Sequence, residues 1–328
     1  MRTPIVRLTA NEQYWDKKKG PRLSEVVFRN DLAKNQALNL CLNTEGEVDI
    51  VTMVDPADAK KVIQSQFANL IQVNANRVLT GIFNRYQQDV DFNDKRLRYA
   101  LNAAVSKARV VAEGFLGYAT AIPSLTPPWS REFPEDISPI EHDPQLAKQL
   151  LDEVGWPEER PLTIATLSQF TQSANVMAME LEASLQIKVN VIVIPKIEEN
   201  KWLRAVAEKR RVPGFDIFLA DVFAFFTQGI PAYVHREFFG QNGAFRLGPE
   251  IIEFEQLFKE FKSEVNDVRR SELAKDIDRY VHKEALGLFL CCPQDLYAVN
   301  RHVQFQAYRS TFELVDTEVT AEHWSRRR

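Results

Sequence analysis

Side chains that ligate metals or move protons are present in this chain, but not at the spacings such chemistry requires. The five histidines, His142, His235, His282, His302 and His323, form no pair at helical or loop ligand spacing, and neither HExxH nor CxxC occurs. No GxSxG elbow presents a serine nucleophile. No GxGxxG or GxxxxGK[ST] loop offers its amides to a phosphate. Acidic residues number 45, enough to guarantee chance pairs; Glu250, Glu253 and Glu255 read as the solvated start of a helix, where acids suit the dipole. No catalytic residue, resident metal or cofactor is therefore expected. Of the three cysteines, Cys291 and Cys292 are vicinal and follow the apolar run Leu286–Leu290, which suits small buried hydrophobes. Vicinal cysteines rarely bond each other, and the odd one, Cys41, leaves no disulfide framework.

The stretch that draws attention instead is Pro213–Phe226. Pro213-Gly214 makes a turn, because proline presets φ and glycine accepts positive φ. From Phe215 the residues alternate, with Phe215, Ile217 and Leu219 on one side and Asp216, Phe218 and Ala220 on the other. That pattern predicts a mostly buried strand. It runs on into Asp221, Phe223, Phe225 and Phe226, then Gln228. Such a cluster of phenylalanines at a strand mouth reads either as more core or as the floor of an apolar pocket.

Around this stretch the chain supplies a mixed α/β frame. Strands are predicted at Val6–Ala10, Leu23–Arg29, Leu70–Val73, Val78–Phe83, Pro161–Leu167, Ile187–Ile194, Leu286–Leu290 and Leu296–Val299. Asp55-Pro56, either Asn93 or Asp94, and Asp143-Pro144 are helix starts by cap chemistry. The helix from Asp94 carries Leu97, Leu101, Ala104, Ala108 and Val111 at spacings of three or four, and Gly114 and Gly117 close it. Further helices are expected at Lys34–Asn43, Ala174–Leu185, Glu199–Lys209, Ile251–Phe261 and Ser271–Ala285. The strand–helix–strand unit from Pro161 to Ile194 implies a parallel crossover. The net charge of −4, with both signs interspersed, argues against nucleic acid as a partner. No apolar run approaches the roughly 20 residues that span a bilayer, and the first residues lack the apolar core of a signal peptide.

Eight short motifs, in a fixed order along nearly the whole chain, resemble one family: the large solute-binding proteins of bacterial ABC importers, family 5, the peptide/nickel-binding class. They are Asn11–Trp15 (N-x-x-Y-W), Pro21–Arg29 (P-x-L-x-x-V-V-F-R), Gly46–Ile50 (G-E-V-D-I), Phe92–Leu101 (F-x-D-x-R-V-R-x-A-L), Leu150–Pro157 (L-L-x-x-A-G-W-P), the helix and valine-rich strand of Ala178–Val193, Phe215-Asp216-Ile217 ([YF]-D-[LIV]) and Asp267–Tyr280 (D-x-x-x-R-x-x-L). The resemblance implies a periplasmic-binding-protein-like type II (cluster C) two-lobe α/β fold. Family members are longer, so the chain resembles their C-terminal portion, an N-terminally truncated form. Residues 1–80 would be part of lobe I, 81–294 lobe II, and 295–328 the return to lobe I. The crossings near Gly81–Phe83 and Cys292–Leu296 would be hinges.

The resemblance also implies a role without chemistry: capture of a peptide or other small oligomeric solute between lobes, delivery to an ABC transporter permease, and an extracytoplasmic location. The alternative is a solute-binding-like sensor or interaction domain in the cytoplasm. In the family's peptide binders, the segment after [YF]-D-[LIV] carries a G-W-x-x-D-like pattern whose aspartate pairs with the peptide amine while its backbone adds to the peptide as a strand. An ungapped match puts Asp221 at the glycine, Val222 at the tryptophan and Phe225 at the aspartate. Phenylalanine cannot compensate a buried ammonium, a loss on the order of several kcal/mol, so the usual amine anchor is expected to be missing. The residues expected at the ligand are Phe223, Phe225 and Phe226 for apolar area, with Asp221, Arg210, Gln228 and Tyr233 for orientation. Arg210 could meet a ligand carboxylate but reads more readily as a surface arginine.

Overall fold

The computed structural model describes residues 4–16, 18, 20–208, 214–223 and 231–327, and only the backbone of Val222 and Phe223. In chain order the strands are β1 (Ile5–Thr9), β2 (Glu25–Arg29), β3 (Ile50–Val51), β4 (Ala68–Asn74), β5 (Arg77–Phe83), β6 (Ala119–Ala121), β7 (Leu162–Leu167), β8 (Val189–Ile194), β9 (Ile217–Phe223), β10 (Gly287–Asn300), β11 (Val303–Gln304) and β12 (Glu318–Val319). The helices are α1 (Lys34–Asn43), α2 (Ala59–Gln64), α3 (Lys95–Ala103), α4 (Lys107–Arg109), α5 (Pro144–Val154), α6 (Thr171–Leu185), α7 (Glu199–Ala207), α8 (Ala232–Phe239), α9 (Ile252–Ser263) and α10 (Asp267–Lys283).

The chain forms two compact units: Met1–Ala75 with Gln294–Arg328, and Asn76–Pro293. In the first, β3 and β4 both pair antiparallel with the Gln294–Asn300 half of β10, while β1 pairs with β2 and β11 with β12. Tyr297, Phe305, Phe312 and Phe28 form a chain of ring contacts there, and Cys41 is buried with its thiol toward the Ala298 carbonyl. In the second unit the sheet runs β10–β5–β9–β7–β8. The β10–β5 and β5–β9 pairs are antiparallel, and β9–β7 and β7–β8 are parallel. The parallel β7–α6–β8 crossover is the one that the valine alternation implies.

The caps at Asp55 and Asp143 form as expected, and of Asn93 and Asp94 it is Asp94 that caps its helix. Asp55 accepts from Ala57 N, Asp94 from Arg96 N and Asp143 from Leu146 N, each satisfying a donor that the first helical turn cannot. Gly155 ends α5 at φ 81°, a conformation without penalty for glycine alone.

The structure corrects the expected helix from Asp94 to Gly114. It breaks after Ala103, because Ser106 starts a new cap by accepting from Arg109 N and because its own N–H goes to Glu180 Oε2; α4 follows and then a wide turn of π type, Val110–Gly114. The expected strands at Leu286–Leu290 and Leu296–Val299 are one strand, β10. Pro293 does not interrupt it: a proline is tolerated where no ladder donor is needed, and its partner strand there is the three-residue β6. Helix α8 was not expected from the sequence.

Candidate functional site

Strand β9 is buried from its first residue. Ile217, Phe218 and Leu219 are sealed, and Phe215, just before them, joins Phe218 in holding the indole of Trp202, at ring-centroid distances of 5.3 and 4.8 Å. Asp216 lies in this apolar wall, and its burial is tolerated because every lone-pair direction is used. It accepts from Arg160 Nη1 and Nη2 at 3.0 and 2.7 Å, from Gln87 Nε2 at 3.0 Å and from Thr163 N at 2.8 Å. Burial works to lower the Arg160 pKa, and the hydrogen bonds to Asp216 and Asp89 more than reverse it. Trp156 stacks beneath this guanidinium, 5.0 Å away, and donates to the Arg160 carbonyl. Phe215-Asp216-Ile217 and the tryptophan of Leu150–Pro157 thus form one clasp that fixes where β9 starts.

The far end of β9 carries Asp221. In the β5–β9 ladder Leu79 faces Asp221 and Arg77 faces Phe223, so Arg77 and Asp221 are diagonal neighbours on one face. Arg77 Nε and Nη2 both donate to Asp221 Oδ2, at 3.0 and 2.8 Å, and the two side chains are 13% and 15% exposed. The only acid of the expected set is therefore charge-compensated by a cation of the same sheet. Arg77 escaped the sequence reading. An acid in an otherwise apolar strand signals the need for a cation, but that β5 neighbours β9 and supplies it is visible only in the sheet.

Of the other expected residues, Phe223 lies at the end of β9 with its backbone opposite Arg77. Arg210, Phe225, Phe226 and Gln228 lie outside the described residues. Tyr233 belongs to the first turn of α8, where its ring meets Phe258 and Phe261 edge-on at 5.7 and 5.4 Å while remaining 44% exposed. Its ring is thus held by α9, in a contact distinct from the Arg77–Asp221 pair. Among the described residues no group of three His, Cys, Asp or Glu side chains is placed to hold a metal ion. Among them, too, no helix is long and apolar enough to cross a membrane.

Residues 2–242 match the family model "Bacterial extracellular solute-binding proteins, family 5 Middle". The chain belongs to this family. Among its curated relatives is the probable di/tripeptide-binding protein 5 of Pseudomonas aeruginosa, 23% identical over 309 residues, which are 92% of this chain and 56% of that protein. The chain thus spans about half the length of that relative. The fold matches the ABC transporter substrate-binding protein CtaP of Listeria monocytogenes, with a TM-score of 0.84 at 19% identity over 98% of this chain and 65% of CtaP. It also matches the oligopeptide-binding protein AppA of Bacillus subtilis, solved in complex with a nonapeptide, with a TM-score of 0.74 at 18% identity over 98% of this chain and 65% of AppA. The α/β periplasmic-binding-protein fold expected from the eight motifs is the fold observed.

Proposed function

We propose that this family 5 solute-binding chain captures a peptide or other small oligomeric solute for an ABC importer, outside the cytoplasm and without breaking a bond. In this reading residues 1–75 and 294–328 contribute to lobe I, and residues 76–293 form lobe II. The crossings Ala75–Asn76 and Pro293–Gln294 are where a rotation between lobes acts. The observation that carries the reading is the family match across residues 2–242, joined to a fold shared with peptide-binding proteins over nearly the whole chain.

The end of β9 then supplies backbone and apolar area rather than a charge for the ligand. Bringing an ammonium to Asp221 means competing with Arg77 for a carboxylate in a pair only 13–15% exposed. Ligands whose amine is blocked, or that have none, avoid that cost. Calorimetry of the full chain tests this with Ala-Ala-Ala, its N-acetylated form, nickel–histidine and an oligosaccharide pool. Expected is binding of the acetylated peptide at least as tight as that of the free-amine form. In Arg77→Met the free-amine peptide should gain about tenfold relative to the acetylated one, the equivalent of about 1.4 kcal/mol from one charge pair. Tight free-amine binding that Asp221→Ala abolishes would overturn the neutral strand end. Binding of none of these solutes would count against solute capture itself.

A further inference from the structure

Four polar side chains meet out of solvent between α8, α10 and the loop 122–126. Ser124, Thr126 and His235 are fully buried and Asp278 is 1% exposed. Their order is not that of a nucleophilic triad, because the Ser124 hydroxyl donates to the Asp278 carboxylate and not to the imidazole. Thr126 Oγ1 donates to the second oxygen, Oδ2, at 2.6 Å. His235 Nδ1 lies 3.3 Å from the Pro231 carbonyl, which can only accept, so Nδ1 carries a hydrogen. Nε2 then lies 2.9 Å from Asp278 Oδ1, with no other polar partner among the described residues. A neutral ring with its hydrogen on Nδ1 turns a lone pair toward that oxygen. Two lone pairs at this distance repel, and a single proton between them converts the contact into a hydrogen bond.

The neighbouring charges do not supply that proton. On α8, Arg236 and Glu237 bind each other at 2.6 Å. Helix α9 contributes the buried rings of Phe254, Phe258 and Phe261. On α10, Arg279 is engaged by Asp136 and Asp276, and His282 Nδ1 meets the Pro123 carbonyl, with the charge of Lys107 acting on the ring. We propose that Asp278 and His235 hold one proton in common, carried by the carboxyl in the folded chain and by the imidazole in the unfolded one, and that this exchange keeps the α8–α10 junction intact in mildly acidic surroundings.

Burial acts on both partners in the direction this requires. It pushes the Asp278 carboxyl up to about 7 from its ordinary 3.8, and the His235 imidazole down to about 3 from 6.5. Taken alone, Asp278 contributes stability that is fully present below 3.8 and lost as pH rises through about 7. Taken alone, His235 contributes stability that is present above 6.5 and lost as pH falls toward about 3. The two slopes oppose each other across the same window and largely cancel. Folding moves a proton from one residue to the other rather than shedding it.

Urea unfolding of the full chain at a series of pH values, for wild type, Asp278→Asn and His235→Gln, separates the two contributions. Without the acid, the unfolding constant should rise about tenfold for each pH unit below about 6.5 relative to wild type, or about 100-fold by roughly pH 4.5. Without the imidazole, the slope should have the opposite sign. Variants parallel to wild type would overturn the shared proton. Wild type alone gives a second readout that needs no variant to fold. At about pH 5.5, between the two shifted values, infrared spectra should show a protonated buried carboxylic acid, and nitrogen NMR a neutral His235. An imidazolium beside an ionised carboxylate would overturn the placement of the proton.

Discussion

Replacing Arg160 by methionine tests the clasp that fixes the start of β9. Asp216 is 2% exposed as a side chain and receives two of its four hydrogen bonds from Arg160; the variant leaves Gln87 and the Thr163 amide as its donors but no compensating charge. Removing one partner of a buried ion pair costs about 3–5 kcal/mol, mostly the burden of the charge left behind. For a unit the size of Asn76–Pro293 this corresponds to a fall of roughly 6–20 °C in unfolding midpoint. The other carboxylate on Arg160 provides the control. Asp89 accepts from Nε at 2.5 Å but is 58% exposed, so Asp89→Asn should cost under about 1 kcal/mol. The double variant Arg160→Met, Asp216→Asn removes the stranded charge and should be more stable than Arg160→Met alone. Thermal and urea unfolding followed by near-UV circular dichroism reads all four proteins, with Trp156 against the guanidinium as a local reporter. If Arg160→Met costs no more than Asp89→Asn, or if the second substitution worsens it, the account of Asp216 as a charge held by Arg160 fails.

Two further outcomes follow from packing. A methyl group at Gly81 would lie 2.8 Å from Ile217 Cγ2 and 3.1 Å from Leu288 Cβ, so Gly81→Ala should destabilise by about 1–3 kcal/mol through overpacking, measurable by urea denaturation; a neutral result would mean that β5 can shift. All three thiols are buried, and burial pushes Cys41 up to about 12 and Cys291 and Cys292 well above the ordinary thiol value, so a disulfide reagent should label none of them in the folded chain. Labelling in rising urea, read by peptide mapping, should then report the unfolding of each unit by itself, Cys41 for one and Cys291-Cys292 for the other. Rapid labelling without denaturant would refute the burial.

Local rules carried the frame far into the sequence and then stopped where partners are distant. A cap is written within three or four residues, which is why Asp55 and Asp143 could be read directly and the third cap narrowed to Asn93 or Asp94. The clasp at Asp216 is different: Arg160 lies 56 positions away, and nothing near Asp216 announces it. The same holds for Arg98, recognisable only as part of a motif, whose guanidinium donates to the carbonyls of Glu284 and Ala285 just past the end of α10 and to those of Phe92 and Asn93. It satisfies acceptors that a helix end leaves open. Several motif residues are thus the near halves of long-range polar contacts, which explains why the motifs announce a frame and say little about its ligand. At the candidate site the limit took another form. The strand pattern runs on into Asp221, but whether its carboxylate already has a partner depends on Arg77, 144 positions earlier and on the next strand. A single acid among apolar residues therefore poses a question that periodicity cannot answer: whether the compensating cation belongs to the protein or arrives with the solute. Here the sheet supplies it, and the strand end that resembles a receptor for a positive charge has its own already in place.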